Sequence, residues 1–245
     1  MQFDLSLAID SFPGLLGGLW TTLAISVVVL LLGIVFSIPM ALARMSRHRI
    51  LAWPALVFVI FFRGTPVLVL LYVVYFGVPQ FDWVHDTFLW TLISHPFGCA
   101  VIGLTLNHVA YMTDVVRGSL NAVPTGLCEA ADALGIPQRK VFFWIRLPLA
   151  LRYGVKAYQN EVVGFIKGTA VVSVITVNDL TAMANKVFQE TYDPLTPMLT
   201  AATMYWIVVN LVRLGFAALD RWLNRHLAPM PDTQSATAQT KEALA

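Results

Sequence analysis

Long uncharged apolar stretches alternate along the chain with short segments that hold most of the charge, a pattern of helices long enough to cross a bilayer. From Ser11 to Ala43 no charged residue occurs. Four more apolar runs follow, and the expected membrane spans are residues 14–43, 51–77, 90–113, 149–177 and 197–219. Pro39 is placed to kink the first near its end. The second carries Arg63 midway, the third holds His95, Asn107 and His108, and the fifth is apolar apart from Arg213. The fourth is the least regular, with Arg152, Lys156, Glu161 and Lys167. Its start is placed at the interface, where Arg152 and Lys156 can snorkel.

Composition strengthens this picture. Hydrophobic residues make up 58% of the 245 positions and charged residues 12%, with a mean hydropathy of +0.71; soluble domains sit near 45–50% and ~25%. A water-soluble globule and a disordered chain are both excluded by that balance. A net charge of +2 without an aromatic–basic stripe gives no reason to expect a nucleic-acid partner. Cys99 and Cys128 form no C-x-x-C and have no histidine at ligand spacing, so neither a disulfide framework nor a metal site is expected. Before the first span the only charges are Asp4 and Asp10. That stretch lacks the basic region of a cleaved signal, and the first span is expected to remain in the mature protein.

Basic residues set the orientation. Arg44, Arg47 and Arg49 separate spans one and two; Arg117, Arg139, Lys140 and Arg146 lie between three and four; Arg221, Arg225 and Lys241 follow five. The opposite side has only Lys186, in the 179–196 loop. The N-terminus is therefore expected outside and the C-terminus in the cytoplasm. Residues 228–245, rich in Pro, Thr, Gln and Ala, are expected as a disordered cytoplasmic tail.

The cytoplasmic segment Val123-Pro124-Thr125-Gly126-Leu127-Cys128-Glu129-Ala130-Ala131-Asp132-Ala133-Leu134-Gly135-Ile136-Pro137 reads as a short helix over about 127–135. Alanine is the best helix former, Glu129 and Asp132 suit its positive end, and Gly135 is placed for a left-handed cap. Two turns of helix are too short to be stable alone in water. The segment is either an elbow packed against the bundle or a docking knob, on which Ala130, Ala131 and Ala133 admit a partner's groove and Glu129 fixes the register.

Glu129-Ala130-Ala131, Gly135 and Ile145-Arg146-Leu147-Pro148 together resemble the EAA signature of bacterial ABC importer membrane subunits. Phe62-Arg63-Gly64-Thr65-Pro66, Leu104-Thr105-Leu106-Asn107 with Ala110-Tyr111, and Ala157 to Val162 are similar to segments of polar amino-acid permeases of the histidine, lysine–arginine and opine M-type group. Lys167-Gly168-Thr169-Ala170 falls where many relatives read K-D-T-S, and Leu127, Leu149 and Asp114 depart from the common pattern. The resemblance runs from about Trp20 to Leu223. It implies an all-α integral membrane protein with five transmembrane helices: a type I ABC importer permease-like bundle in the bacterial inner membrane over residues 11–223, with the N-terminus periplasmic. It also implies that Glu129, Ala130, Ala131, Ala133, Leu134 and Gly135 form a coupling helix for a separate ATPase. Implied partners are two ATP-binding subunits, a second permease subunit of the related Q type and a periplasmic amino-acid-binding protein. The chain contains neither G-x-x-x-x-G-K-[ST] nor G-x-G-x-x-G, so no cofactor is expected on it, and ATP and magnesium would belong to the partner.

A charge near the bilayer centre costs about 2.5–3.5 kcal/mol, so a retained one needs a partner or a wet cavity. Arg63 and Glu161 both lie roughly 18–20 Å along their helices from the cytoplasmic side at helical rise. Arg63 either pairs with a carboxylate or loosened carbonyls near Thr65 to hold the bundle, or lines a path. Glu161, with Asn160 beside it, either contacts a substrate ammonium or forms an ion pair; Lys167 lies deeper on the same segment. Gly164 and Gly168 make a G-x-x-x-G step suited to a close crossing or local unwinding. His108 is expected as a hydrogen-bonded interior histidine, and Asp114 with Arg117 as a surface pair. An ion-coupled secondary transporter is the rival reading, although five spans leave no room for the usual inverted repeat. A membrane enzyme is the weaker rival, because no nucleophile–base constellation stands out.

Overall fold

The computed structural model describes residues 3–225, and all regular structure among them is helical. The forty-residue α1 (Leu5–Arg44) runs through Pro13 and Pro39. Asp4 caps it, its carboxylate accepting from the N–H of Ser6 at 2.9 Å and of Leu7 at 3.2 Å. The Asp4 N–H in turn donates to the Thr196 hydroxyl, which donates to Asp193. That hydroxyl holds the Asp193 carboxyl below its ordinary range. The start of α1 is thereby tied to the turn that begins the last helix.

The second expected span is not one helix. α2 (Arg49–Gly64) stops where Pro66 lacks an N–H and disfavours helical backbone at the residue before it; Thr65 is extended, at φ −87° and ψ 127°. The chain then turns by 102° into α3 (Val67–Tyr72), which continues as a π turn over Val73–Gly77 and a 3-10 turn over Val78–Gln80. The short α4 (Asp82–His85) and α5 (Phe88–Ile93) fill what the sequence suggested was a loop and the start of the third span. α6 (Pro96–Asn121) begins later and ends later than expected.

Beyond it lie α7 (Thr125–Ala133) and α8 (Gln138–Lys140), and a π turn over Val141–Arg146 feeds α9 (Leu147–Gly168). A 3-10 stretch, Thr169–Ile175, follows directly and ends at Thr176, a β-branched residue at φ +60°. The 179–196 segment is not a loop either. It holds the twelve-residue α10 (Leu180–Thr191), bent 51° from the helix before it, and α11 (Leu195–Asn224) closes the described chain. Residues 228–245, expected as a tail, lie outside the described part.

Three helices, α1, α6 and α11, are long and apolar enough to cross a membrane singly, and five segments are if each bent pair counts as one. α1 is the spine of the bundle, packing on α2, α6, α10 and α11. Ile25, Val29, Leu71, Cys99, Ala100, Leu104, Val172 and Ile175 form the main core where α1, α3, α6 and the 3-10 stretch meet. Hydroxyls inside the core donate to carbonyls one turn earlier, Ser26 to Thr22 at 2.8 Å and Thr113 to Val109 at 2.7 Å, which pairs them within an apolar layer; the buried Thr105 hydroxyl has no partner.

Close helix approach depends on particular glycines. A Cβ at Gly18 would stand 2.7 Å from the Asp179 carbonyl oxygen and 2.8 Å from Met183 Cγ, whereas one at Gly17 would meet nothing within 4 Å. Gly18→Val is therefore expected to lower the thermal midpoint of the purified protein, by the ~1–3 kcal/mol typical of overpacking. Gly17→Ala should leave the midpoint unchanged or slightly raised.

Candidate functional site

The first helix break and the end of α9 face one groove. A cavity of about 530 Å³ is bounded by Arg63, Gly64, Thr65, Pro66 and Val67 on one side and by Glu161, Gly164, Phe165 and Gly168 on another; α6 forms its floor through Asn107, His108 and Tyr111. A second cavity, of about 330 Å³, shares Arg63, Tyr111 and Glu161 and extends along Asp114, Ser119, Ala122 and Tyr153 toward the end of α6. Hollows of about 680 and 800 Å³ elsewhere are larger but carry no charged side chain. Charge, not size, marks the functional candidate.

Local chemistry explains how a broken helix survives here. Pro66 cannot supply the N–H that the Phe62 carbonyl would receive in a continuous helix, and the Asn107 side-chain amide donates to that carbonyl instead, at 2.9 Å. The Thr65 N–H and hydroxyl both donate to the Phe61 carbonyl, at 3.0 and 2.8 Å. The second break is braced against the π turn that follows α3 by a Tyr75–Thr176 hydroxyl contact of 3.0 Å. Gly164 and Gly168 have no atom near the position of a Cβ, so their step opens onto the groove and no neighbouring helix within the chain is seated on it.

Arg63 finds the carboxylate that its burial in an apolar run demanded. Asp114 accepts hydrogen bonds from both Arg63 and Arg44, and Arg117 stands 3.5 Å from the same carboxylate. Expected as a surface pair with Arg117, Asp114 instead joins α1, α2 and α6 through three guanidinium groups. The Arg63 guanidinium carbon lies 4.9 Å from the Tyr111 ring centroid, within cation–π range. Glu161 is half-buried on the same groove and feels the charge of Arg63.

Three expected path residues, Arg63, Thr65 and Glu161, thus come together; Asn160 and Lys167 are exposed and lie outside the groove lining. His108 is buried, at 2% exposure, but Nε2 has no partner, contrary to the hydrogen-bonded histidine expected. Its ring instead packs 4.9 Å from Phe165 and against Gly33, where a Cβ would come within 2.3 Å of it. No cluster of metal-binding side chains occurs among the described residues.

One residue escaped the sequence reading entirely. Asp179 is fully buried, caps α10 through the N–H groups of Thr181 and Ala182, and accepts from the Tyr205 hydroxyl at 3.4 Å. Its only signal was its place one step before an apolar helix, which a loop assignment concealed.

α7 has the length and cap expected. Gly135 sits at φ +71°, its N–H bonded to the Asp132 carbonyl (2.9 Å) and that of Ile136 to Ala131 (3.1 Å), a Schellman closure. Glu129, Ala130, Ala133 and Leu134 are exposed, Leu134 by 78%. Ala131 departs from expectation: it is buried at 3% on the side that packs against the 141–146 turn, so it anchors the helix and presents nothing outward.

A charged groove held between two broken helices in an otherwise apolar bundle is the construction of a membrane transport subunit. Comparison with known proteins gives the class its name. Residues 33–225 match the family described as binding-protein-dependent transport system inner membrane component, and the chain belongs to it. It is 36% identical over 239 residues to the nopaline transport system permease protein NocM of Agrobacterium fabrum, covering 97% of this chain and 99% of that one. Over 220 residues it is 37% identical to the histidine/lysine/arginine/ornithine transport system permease protein HisM of Escherichia coli, covering 89% and 90% of the two chains. A solved structure titled as the crystal structure of an amino acid ABC transporter with histidines superposes with a TM-score of 0.81, at 27% identity, over 90% of this chain and 99% of that one. The chain is an inner-membrane permease subunit of an ABC importer with the all-helical type I permease fold. That membership sets aside the ion-coupled secondary transporter.

Removing the shared acceptor would leave three arginines facing one another. Asp114→Asn should lower the apparent unfolding temperature of the purified protein more than Arg63→Gln does, because Arg44 on the same carboxylate is only 14% exposed and Arg63 43%. A midpoint unchanged in Asp114→Asn would show that the cluster contributes no stability.

Proposed function

We propose that this chain carries a cationic amino acid or an opine across the inner membrane, and that the Arg63–Glu161 groove is its path. The single observation behind this reading is that groove: the one cavity among those described that places a carboxylate without a hydrogen bond of its own, Glu161, opposite a helix break. A guanidinium or ammonium group is stabilised by such a carboxylate, and broken helices at mid-bundle supply backbone groups for a substrate's polar ends. NocM and HisM, the relatives named above, are permeases for nopaline and for histidine, lysine, arginine and ornithine.

Five spans, made of α1, α2 with α3, α6, α9 with α10, and α11, fit the hydropathy, with the N-terminus periplasmic and the C-terminus cytoplasmic by the distribution of Arg and Lys. In this arrangement the permease pairs with a related Q-type chain, two ATP-binding subunits grip the exposed α7 helices, and a periplasmic binding protein delivers substrate. ATP and magnesium reside on the partner subunits. Closure of those subunits moves the two bundles between inward- and outward-facing states, and this chain performs no covalent chemistry.

Two measurements test the reading. In liposomes holding the assembled transporter, Glu161→Gln should lower uptake of arginine, histidine or opine severalfold at limiting substrate; uptake equal to wild type at limiting and saturating substrate would refute a substrate role for Glu161. In a Cys128→Ser background, cysteines at Ala133 and Leu134 should crosslink to the ATP-binding subunit while one at the buried Ala131 should not. Failure of both exposed positions to capture it, with flux intact, would overturn the coupling role of α7.

A further inference from the structure

Arg63 is held by the set of groups that a free guanidinium would seek. Its side chain shares the Asp114 carboxylate, lies 4.9 Å from the Tyr111 ring centroid and is in electrostatic contact with Glu161. A carboxylate beside an aromatic face is a general receptor for guanidinium and ammonium groups. We propose that Arg63 is a tethered surrogate that fills the cation seat of the empty groove, and that the side chain of an arriving cationic substrate displaces it. This rests on the cationic-substrate reading above and extends it from the path to the selectivity of the path.

The geometry allows the exchange. The Arg63 side chain is 43% exposed, and it springs from the last turn of α2, one residue before Gly64 and the break, so it can swing without repacking a helix. Arg44, on the same carboxylate, is 14% exposed and stays in place, which keeps Asp114 paired throughout. Two cationic groups cannot occupy the one place between the Asp114 carboxylate and the Tyr111 face, so an arriving one takes it only as Arg63 leaves. An amino acid with a neutral side chain has no side-chain charge to offer Asp114 and leaves Arg63 where it is. Displacement also breaks the ion pair between α2 and α6 and leaves the Asn107–Phe62 hydrogen bond as the polar tie at the break, so occupancy of the seat is transmitted to the bent helix.

The test uses the assembled transporter in nanodiscs without binding protein, as wild type, Arg63→Gln and Arg63→Lys. L-arginine binding is measured by titration, with L-citrulline as the uncharged isostere. Removing the tethered competitor should tighten arginine binding tenfold or more in Arg63→Gln, leave citrulline unaffected, and leave Arg63→Lys near wild type. Millimolar guanidinium chloride, against sodium chloride at equal ionic strength, should raise the unfolding midpoint of Arg63→Gln and compete with arginine there. Arginine affinity that is unchanged or weakened in Arg63→Gln overturns the displacement and leaves the substrate reading standing. Guanidinium rescue with no arginine binding to any of the three proteins overturns both the displacement and the basic-substrate reading, although the seat itself would be real.

Discussion

An apolar layer offers no water to a backbone donor or acceptor, so each such group must find its partner within the protein. That constraint dictates helices throughout and makes any interruption costly. The chain nevertheless interrupts two of its helical segments, at Thr65–Pro66 and beyond Gly168. The first is affordable because α6 carries Asn107 at the height where Pro66 fails to donate. A side chain takes over one missing backbone bond, and the freed turn becomes the wall of a polar groove.

Charge follows from the same condition. Arg63 at depth demands a counter-ion, and Asp114 provides one while also serving Arg44 and standing beside Arg117. Three cations around one carboxylate leave the region net positive unless a further anion is near, and Glu161 on α9 is in that position. Asp114 and Glu161 together offset two of the three guanidinium charges, so under the proposal above a further cation is accommodated by the withdrawal of a resident one. Farther along the chain, α7 is built the opposite way: it exposes Leu134 and Glu129 and is fixed by its Schellman closure, by the Gln138 amide donating to the Asp132 carboxylate and by the buried Ala131.

Much of this was written in local pattern. Apolar runs pointed to α1, α6 and α11, although α1 begins well before its run and α6 is shifted toward the C-terminus at both ends, and Gly135 announced its left-handed cap. Arg63 and Glu161 were placed at similar depths when counted from the same side, and both line the groove. Other features were concealed. Pro66 lay inside a long apolar run in which Arg63-Gly64-Thr65-Pro66 make only a brief dip, so overall length suggested an unbroken span. α10 carries Lys186 and Glu190 and is too polar to register as a span, so its residues were taken for a loop and Asp179 was lost with them.

Sequence by itself determined that the chain is a membrane bundle, where a short helix would be capped and which charges interrupt the apolar runs. These are properties of single segments, set by hydropathy, backbone stereochemistry and charge counts. Tertiary structure alone decided that Asp114 gathers three arginines from three helices, that Asn107 repairs the break at Pro66, that Ala131 faces inward while Ala130 and Ala133 face out, and that Asn160 and Lys167 miss the groove. Such facts depend on the rotation of one helix against another. Packing fixes that angle, and neither periodicity nor composition along one strand of chain can report it.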